Sequence, residues 1–422
     1  MSRERITDIE VLRGLAVIGV VIHHARDNLF TWSSPGLERL AVYFGGWVGV
    51  DLFFVISGFV IARTLLPQLQ ASENSQSAAR ITLAFWVRRA WRLLPSAWLW
   101  LLLMLLGALV FRDSGTFGDL RANLEATVAG FLNIANLRFL DTFMRSEYGA
   151  SFVYWSLSLE EQFYLLLPLV VLLSRRWLVP VLLLIVLYQL VQERTLAMMV
   201  FRCDGMLLGV LLAIWSRHPS YQVARPMFLQ TLPFKAAIPL LLLLGCLALL
   251  GSDELRIATH RMSVITLLCA ILVWIASYND NLFIPARLQA LFIWLGARSF
   301  AIYLIHIPAF FLTREIWSRV SPDAVAGPDD LLPYMLTAGA LIIFCSELNH
   351  RWVEQPLRRR GRTIATRIMN DTAHAGHATQ SQHPTGESHD HPLEAQIIGR
   401  PEIDPMPDSS GGQYRAKGNC TI

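Results

Sequence analysis

Charge is scarce in this chain. Asp, Glu, Lys and Arg make up 16% of its 422 residues, while hydrophobic residues make up 54%. A soluble domain carries about a quarter charged residues, so this balance and a mean hydropathy of +0.43 exclude the soluble class. The small net charge of +4 comes largely from arginines gathered at the ends of apolar segments, which speaks to membrane topology. No motif that reads DNA or RNA is present, so no nucleic-acid partner is expected. Cysteine is equally sparse. Cys203, Cys246, Cys269, Cys345 and Cys420 are scattered, four of them inside apolar runs and none in a CxxC pair, so they read as packing residues and not as a disulfide or metal framework. A cleavable leader is also missing: the apolar run from Ile9 contains Arg13 and ends in His23-His24 instead of a small-residue cleavage site, so it reads as a retained first span. What the chain does have is a succession of apolar windows of about 20 residues, the length a helix needs to cross a bilayer. The short alternating segments of a barrel are absent.

The expected fold is therefore all-α, a polytopic helical bundle. Ten spans are predicted at 9–29, 47–66, 93–111, 155–173, 177–192, 201–216, 236–250, 262–277, 291–312 and 331–352. Arginines at Arg3 and Arg5, at Arg63 to Arg92, at Arg175 and Arg176, at Arg217 and Arg225, and at Arg358 to Arg360 alternate with acid-balanced loops, which places both termini in the cytoplasm. The opposite loops are 31–46, 112–154, 251–261 and 314–330. The longest should carry a short helix near Leu120 to Ile134, positioned to cover an extracytoplasmic cleft. Residues 1–362 form the membrane domain. After Arg362 the composition turns to His, Ser, Pro, Gly, Asp and Thr, too polar to offset the entropy of ordering, so 363–422 is expected to be a disordered cytoplasmic tail. Its His374, His377, His383, His389 and His391 match no structural zinc spacing, and no bound metal is expected.

Ionisable groups within a bilayer cost at least a few kcal/mol, so each is a functional candidate. From Arg13 to His24 is eleven residues, three helical turns plus about 20°, so both project from one face about 16 Å apart along the axis. Arg13 then lies near the cytoplasmic mouth and His24 in the outer half of the membrane. Under the same topology Asp51, Glu160, Glu161, Arg202, Asp204 and His306 fall at the depth of His24. Carboxylates there would orient and charge an imidazole, which is the arrangement of an acid/base site. A second cluster, Phe85-Trp-Val-Arg88-Arg89-Ala-Trp-Arg92-Leu-Leu-Pro95, presents Arg88, Arg89 and Arg92 on one helix surface beside Trp86 and Trp91. That surface suits phosphates and an adenine ring; it also suits plain positive-inside anchoring with an aromatic belt.

At these residues the chain resembles the acyltransferase 3 family of bacterial integral-membrane O-acyltransferases, over roughly residues 6 to 360. The motifs that carry the likeness are Leu12-Arg-Gly-Leu-Ala followed by His24, Gly49-Val-Asp-Leu-Phe-Phe-Val-Ile-Ser-Gly-Phe, Arg88-Arg-Ala-Trp-Arg92-Leu-Leu-Pro, Trp155-Ser-Leu-Ser-Leu-Glu-Glu-Gln-Phe-Tyr164, Arg202-Cys-Asp-Gly-Met-Leu-Leu-Gly, Ser299-Phe-Ala-Ile-Tyr-Leu-Ile-His306-Ile-Pro and Glu354-Gln-Pro. The resemblance implies transfer of an acyl group, usually acetyl, from cytoplasmic acetyl-CoA to a hydroxyl of an extracytoplasmic glycan or lipid-linked sugar, with no permanently bound cofactor. It implies a bacterial inner-membrane location among membrane lipids. The family's arginine and histidine map onto Arg13 and His24, its cytoplasmic arginine pair onto Arg89 and Arg92, and its glutamate onto Glu160. Many members carry a hydrolase-like extension, and the short polar tail here implies a stand-alone form. His23, beside the working position, is a departure.

These readings assign His24 as general base or transient acyl carrier and His306 as second-choice base. Glu160 or Asp51 would orient the imidazole, and Arg202 or backbone donors would steady the oxyanion. Arg13 would line a channel for the pantetheine arm, with Arg88, Arg89 and Arg92 holding phosphates. A proton-coupled transporter of a lipid-linked sugar would use similar groups as a relay, although the paired broken helices of related halves are not visible.

Overall fold

The computed structural model describes residues 6–232, 234–252 and 260–370. Among them the chain is all helical, with no strand. Each predicted apolar segment forms a helix: α1 (Thr7–Asn28), α2 (Gly49–Gln70), α3 (Ser75–Val110), α4 (Tyr154–Ser174), α5 (Leu178–Val191), α6 (Asp204–Trp215), α7 (Ala237–Leu250), α8 (Arg261–Ala276), α9 (Ala286–Val320) and α10 (Leu331–Leu348). A π-turn at Asn349–Glu354 leads into α11 (Gln355–Asn370). That helix runs past the Arg362 boundary and seats Gly361 against the Cβ of Trp91. The remainder of the expected tail, with its histidines, lies outside the described residues.

Five helical segments are long and apolar enough to cross a membrane: Gly46–Gln70, Ser75–Val110, Tyr154–Val191, Ala286–Val320 and Pro328–Asn370. The protein is accordingly an integral membrane protein with an apolar rim. Leu102, Leu106 and Leu109 of α3 and Leu184 and Leu187 of α5 are exposed, as lipid-facing side chains are. α1 is different. Its acids, arginines and histidines dilute its hydropathy, and Asp8, Glu10, Leu12, Val17 and Val20 are buried by neighbouring helices.

Lipid tails are as apolar as Leu, so helices in a membrane associate where small residues let backbones approach. α1 meets α9 in this way: a Cβ on Gly296 would stand 1.9 Å from the carbonyl oxygen of Glu10. α2 meets α6 through Gly58 and Gly209, where a Cβ would stand 1.9 Å from Met206 O and 2.2 Å from Val55 O respectively. These two contacts set α1, α2, α6 and α9 as the centre of the bundle.

The long connection between α3 and α4 holds the expected helix, here Leu120–Phe131, and a second, Ala135–Thr142. The Asp119 side chain caps the first by accepting from Ala122 N at 2.9 Å, satisfying an otherwise orphaned donor. Asn123 then knits the loop by donating to Phe117 O at 2.8 Å and accepting from Ala150 N at 2.9 Å.

Candidate active site

Arg13 faces a narrow cavity of about 70 Å³ between α1, α2, α3, α4 and α9. Arg89 and Arg92 of α3 line it with Arg13, and so do Ser57, Glu160, Tyr164 and Tyr303. Arg88 does not, because it projects about 100° around the helix from Arg89. The guanidinium of Arg89 lies over the Tyr164 ring at 5.2 Å. The Tyr164 hydroxyl in turn hydrogen-bonds both Ser57 and Glu160. Arg13 has Glu10 at 3.8 Å. The cavity thus carries more guanidinium than carboxylate, which suits a polyanionic group. Trp86 does not stack here; its indole N–H donates to Tyr164 O at 3.3 Å.

Tyr303 links this cavity to the histidines. Its hydroxyl meets Ser156 Oγ at 2.7 Å and donates to Val153 O at 3.0 Å. One turn along α9, the fully buried His306 lies 5.7 Å from the Tyr303 ring, centroid to centroid. His306 Nε2 stands 2.9 Å from His24 Nδ1, and the two rings are nearly parallel. Phe152 packs edge-on against His24 at 5.4 Å, and Phe310 edge-on against His306 at 5.8 Å.

Hydrogen bonding decides where the protons sit. His306 Nδ1 is 2.7 Å from the Tyr303 carbonyl oxygen, which can only accept, so Nδ1 carries the hydrogen. In a neutral imidazole the other nitrogen is then the acceptor. His306 Nε2 therefore accepts from His24 Nδ1–H, and His24 Nε2 is left with its lone pair free. The pair presents one basic nitrogen, on His24, held in a single tautomer by a neutral partner.

The remaining candidates are placed elsewhere. Asp51 and Arg202 are both about 1% exposed and form an ion pair at 2.9 Å. The Arg202 guanidinium also lies over the rings of Phe54 and Trp155 at 5.6 and 5.7 Å. Asp204 pairs with Arg194. Glu160 was expected at the depth of His24, but it lies six residues into α4, about 9 Å along the axis, and opens onto the arginine cavity instead. Among the described residues, then, the hydrogen-bond partner of the His24 ring is His306 and not a carboxylate. Sequence reasoning missed Tyr164, Tyr303 and Phe152. The first two were findable, since Tyr164 is i+4 from Glu160 and Tyr303 is i−3 from His306, the spacings that bring helical side chains together.

Residues 6–348 match the model of a family described as an acyltransferase domain. The chain is similar to the peptidoglycan O-acetyltransferase OatA of Listeria monocytogenes, 27% identical over 85% of this chain and 57% of that protein. It is also similar to the O-acetyltransferase OatA of Staphylococcus aureus, 24% identical over 84% of this chain and 57% of that protein. The chain thus spans little more than half the length of these curated relatives. No solved structure matches it at a significant level.

Proposed function

The protein belongs to the acyltransferase 3 family, and from that premise we propose that it moves an acetyl group from cytoplasmic acyl-CoA to a hydroxyl of an extracytoplasmic or lipid-linked carbohydrate. The observation that carries this reading is the junction at Tyr303: a cavity with three guanidiniums on one side and, one turn away, an imidazole pair with one free nitrogen on the other. Phosphate recognition and proton abstraction are the two tasks such a transfer needs, and here they are adjacent.

In this mechanism Arg89 and Arg92 hold the donor's phosphates and Arg13 lines the path of the pantetheine arm, while Arg88, which does not line the cavity, only adds positive charge to the neighbouring helix surface. The thioester reaches the histidines past Tyr303. His24 Nε2 takes the proton from the acceptor hydroxyl as its oxygen attacks the thioester carbonyl. The imidazolium that forms keeps its Nδ1–H bond to His306 Nε2, so His306 orients and stabilises the base. Collapse of the tetrahedral oxyanion breaks the C–S bond, and the CoA thiolate recovers the proton from His24. Glu160, through Tyr164 and Ser57, shapes the donor cavity, and the Asp51–Arg202 pair braces the wall behind Phe54.

On this reading the ten apolar helices serve as ten spans with both termini in the cytoplasm, which would put the Arg13 end inside and the His24 end outside. The names of the relatives make peptidoglycan the first acceptor to try. The test uses membranes containing the protein, labelled acetyl-CoA and a glycan acceptor. An O-acetyl ester forms with the wild type and not with a normally inserted His24→Ala variant. Full transfer by that variant removes the mechanism, and no transfer by the wild type removes the activity. A proton-coupled carrier would move label-free sugar and make no ester.

A further inference from the structure

A second cavity, of about 510 Å³, opens beside the histidine end of α1. Its size is that of a small-molecule site, and it is built from the long α3–α4 connection together with α1 and α9. Phe139 and Tyr148 come from the connection, Phe311 and Arg314 from α9, and Asn28 from α1. Phe152 is the shared wall: the ring that lines this cleft is the one that packs edge-on against His24. Asn28 is tied to the same place, donating to the His24 carbonyl oxygen at 2.8 Å.

The chemistry of the cleft is specific. Aromatic rings offer flat apolar faces, Thr116 and Ser146 supply hydroxyls around them, and the one carboxylate of the lining, Glu147, accepts from Asp119 N at 2.9 Å. That mixture matches a pyranose, which has C–H faces and a hydroxyl edge. Arg314 adds charge. It is half-buried, lies over the Phe311 ring at 5.7 Å, and among the described residues it forms no salt bridge. Its neighbour Glu315 is already taken: it accepts from Ser114 Oγ at 2.6 Å, Thr116 Oγ1 at 2.9 Å and Arg319 Nε at 2.7 Å. A guanidinium held on an aromatic face, with the adjacent carboxylate engaged elsewhere, is arranged to receive an external anion.

The walls are also preformed. Arg138 donates to Glu125 at 2.8 Å and to the Tyr148 carbonyl at 3.1 Å, and the two bonds from Glu315 fasten the start of the connection to α9. Little ordering is then left for a ligand to impose, which favours affinity.

We propose that this cleft is the acceptor subsite and that it takes a saccharide bearing an anionic group, with Arg314 recognising the anion and the sugar's free hydroxyl passing Phe152 toward His24. This rests on the acyl-transfer reading of the site. The commitment to a charged sugar comes from Arg314, and the commitment to a sugar from the aromatic walls.

The test is a binding measurement that does not depend on transfer, made on the full chain in lipid nanodiscs. The probes are the carboxylate-bearing disaccharide of N-acetylglucosamine and N-acetylmuramic acid, the neutral chitobiose that lacks only the lactyl group, and N-acetylglucosamine 1-phosphate. The wild type should bind both charged probes more tightly than chitobiose. Arg314→Gln should weaken the charged probes by about tenfold or more, the loss expected for a hydrogen bond to a charged group, and leave chitobiose unchanged. Arg314→Lys should recover part of the loss. Unchanged chitobiose and acetyl-CoA binding in Arg314→Gln shows that the variant is folded. Equal binding of all probes by wild type and Arg314→Gln, or no saccharide binding by the wild type, overturns the proposal. Binding as expected with no ester formed would leave the subsite standing and remove the transferase reading. Ester formation with no effect of Arg314→Gln would do the reverse.

Discussion

His306 does not line the arginine cavity, yet its removal should cost the proposed transfer most of its rate. In His306→Ala the His24 Nδ1–H loses its acceptor at 2.9 Å, and two consequences follow. The neutral ring is free to place its hydrogen on Nε2, which removes the basic lone pair from the acceptor's side. The imidazolium formed during transfer also loses a hydrogen bond to a charged donor, worth about 1.5–3 kcal/mol, or about 10- to 150-fold in rate at about 1.4 kcal/mol per decade. A fall in kcat of about 10- to 100-fold is expected for His306→Ala, against complete loss for His24→Ala, with the double variant no worse than His24→Ala alone. In His306→Gln an amide oxygen reaches the place of Nε2 and accepts the same hydrogen, so this variant should lie between His306→Ala and wild type. The assay is single-turnover transfer from labelled acetyl-CoA to a glycan in nanodiscs, with acetyl-CoA binding measured in parallel and expected to be unaltered. The reasoning is refuted if His306→Ala is fully active, or if it is inert while His24→Ala retains activity, which would exchange the two roles.

Three further outcomes follow from the geometry. Arg92→Glu should raise the KM for acetyl-CoA by about tenfold or more, as expected for loss of a charge-assisted phosphate contact, and leave acceptor binding unchanged; an unaltered KM in the transfer assay would favour a purely topogenic arginine. Gly58→Ala places a Cβ 1.9 Å from Met206 O and should destabilise by at least the about 1–3 kcal/mol of overpacking. Gly245→Ala and Gly339→Ala meet nothing within 4 Å and should be neutral or slightly stabilising, a contrast readable by thermal denaturation in detergent. Asp51→Ala leaves the Arg202 guanidinium buried without its carboxylate and should cost about 3–5 kcal/mol, while Asp51→Leu with Arg202→Met should recover folding. If that double variant also recovers transfer, the pair braces the site; folded but inactive protein would return Asp51 or Arg202 to the chemistry.

The amino-acid sequence by itself determined the solvent and the elements. Apolar runs of the right length made the ten apolar helices predictable, because a bilayer core demands internally satisfied backbone; the polar α11 (Gln355–Asn370) was not foreseen. Helical periodicity put Arg13 and His24 on one face, and the resemblance identified the family. The ends were less legible: α9 runs through Val320 instead of stopping near 312, since a helix emerging from lipid continues as long as water or protein satisfies its polar side chains.

What only the tertiary structure decided was who meets whom. Depth in the membrane can be read from position along a helix, and that reading placed six groups with His24. Only His306, 282 residues away, meets its ring. Asp51 is taken by Arg202 and Glu160 by Tyr164. The in-plane order of helices depends on where glycines such as Gly58, Gly209 and Gly296 allow backbones to touch, and a Leu against lipid has the same hydropathy as a Leu against another helix. Hydrophobicity therefore sets which residues are in the membrane, and close packing between distant segments sets which of them share a site.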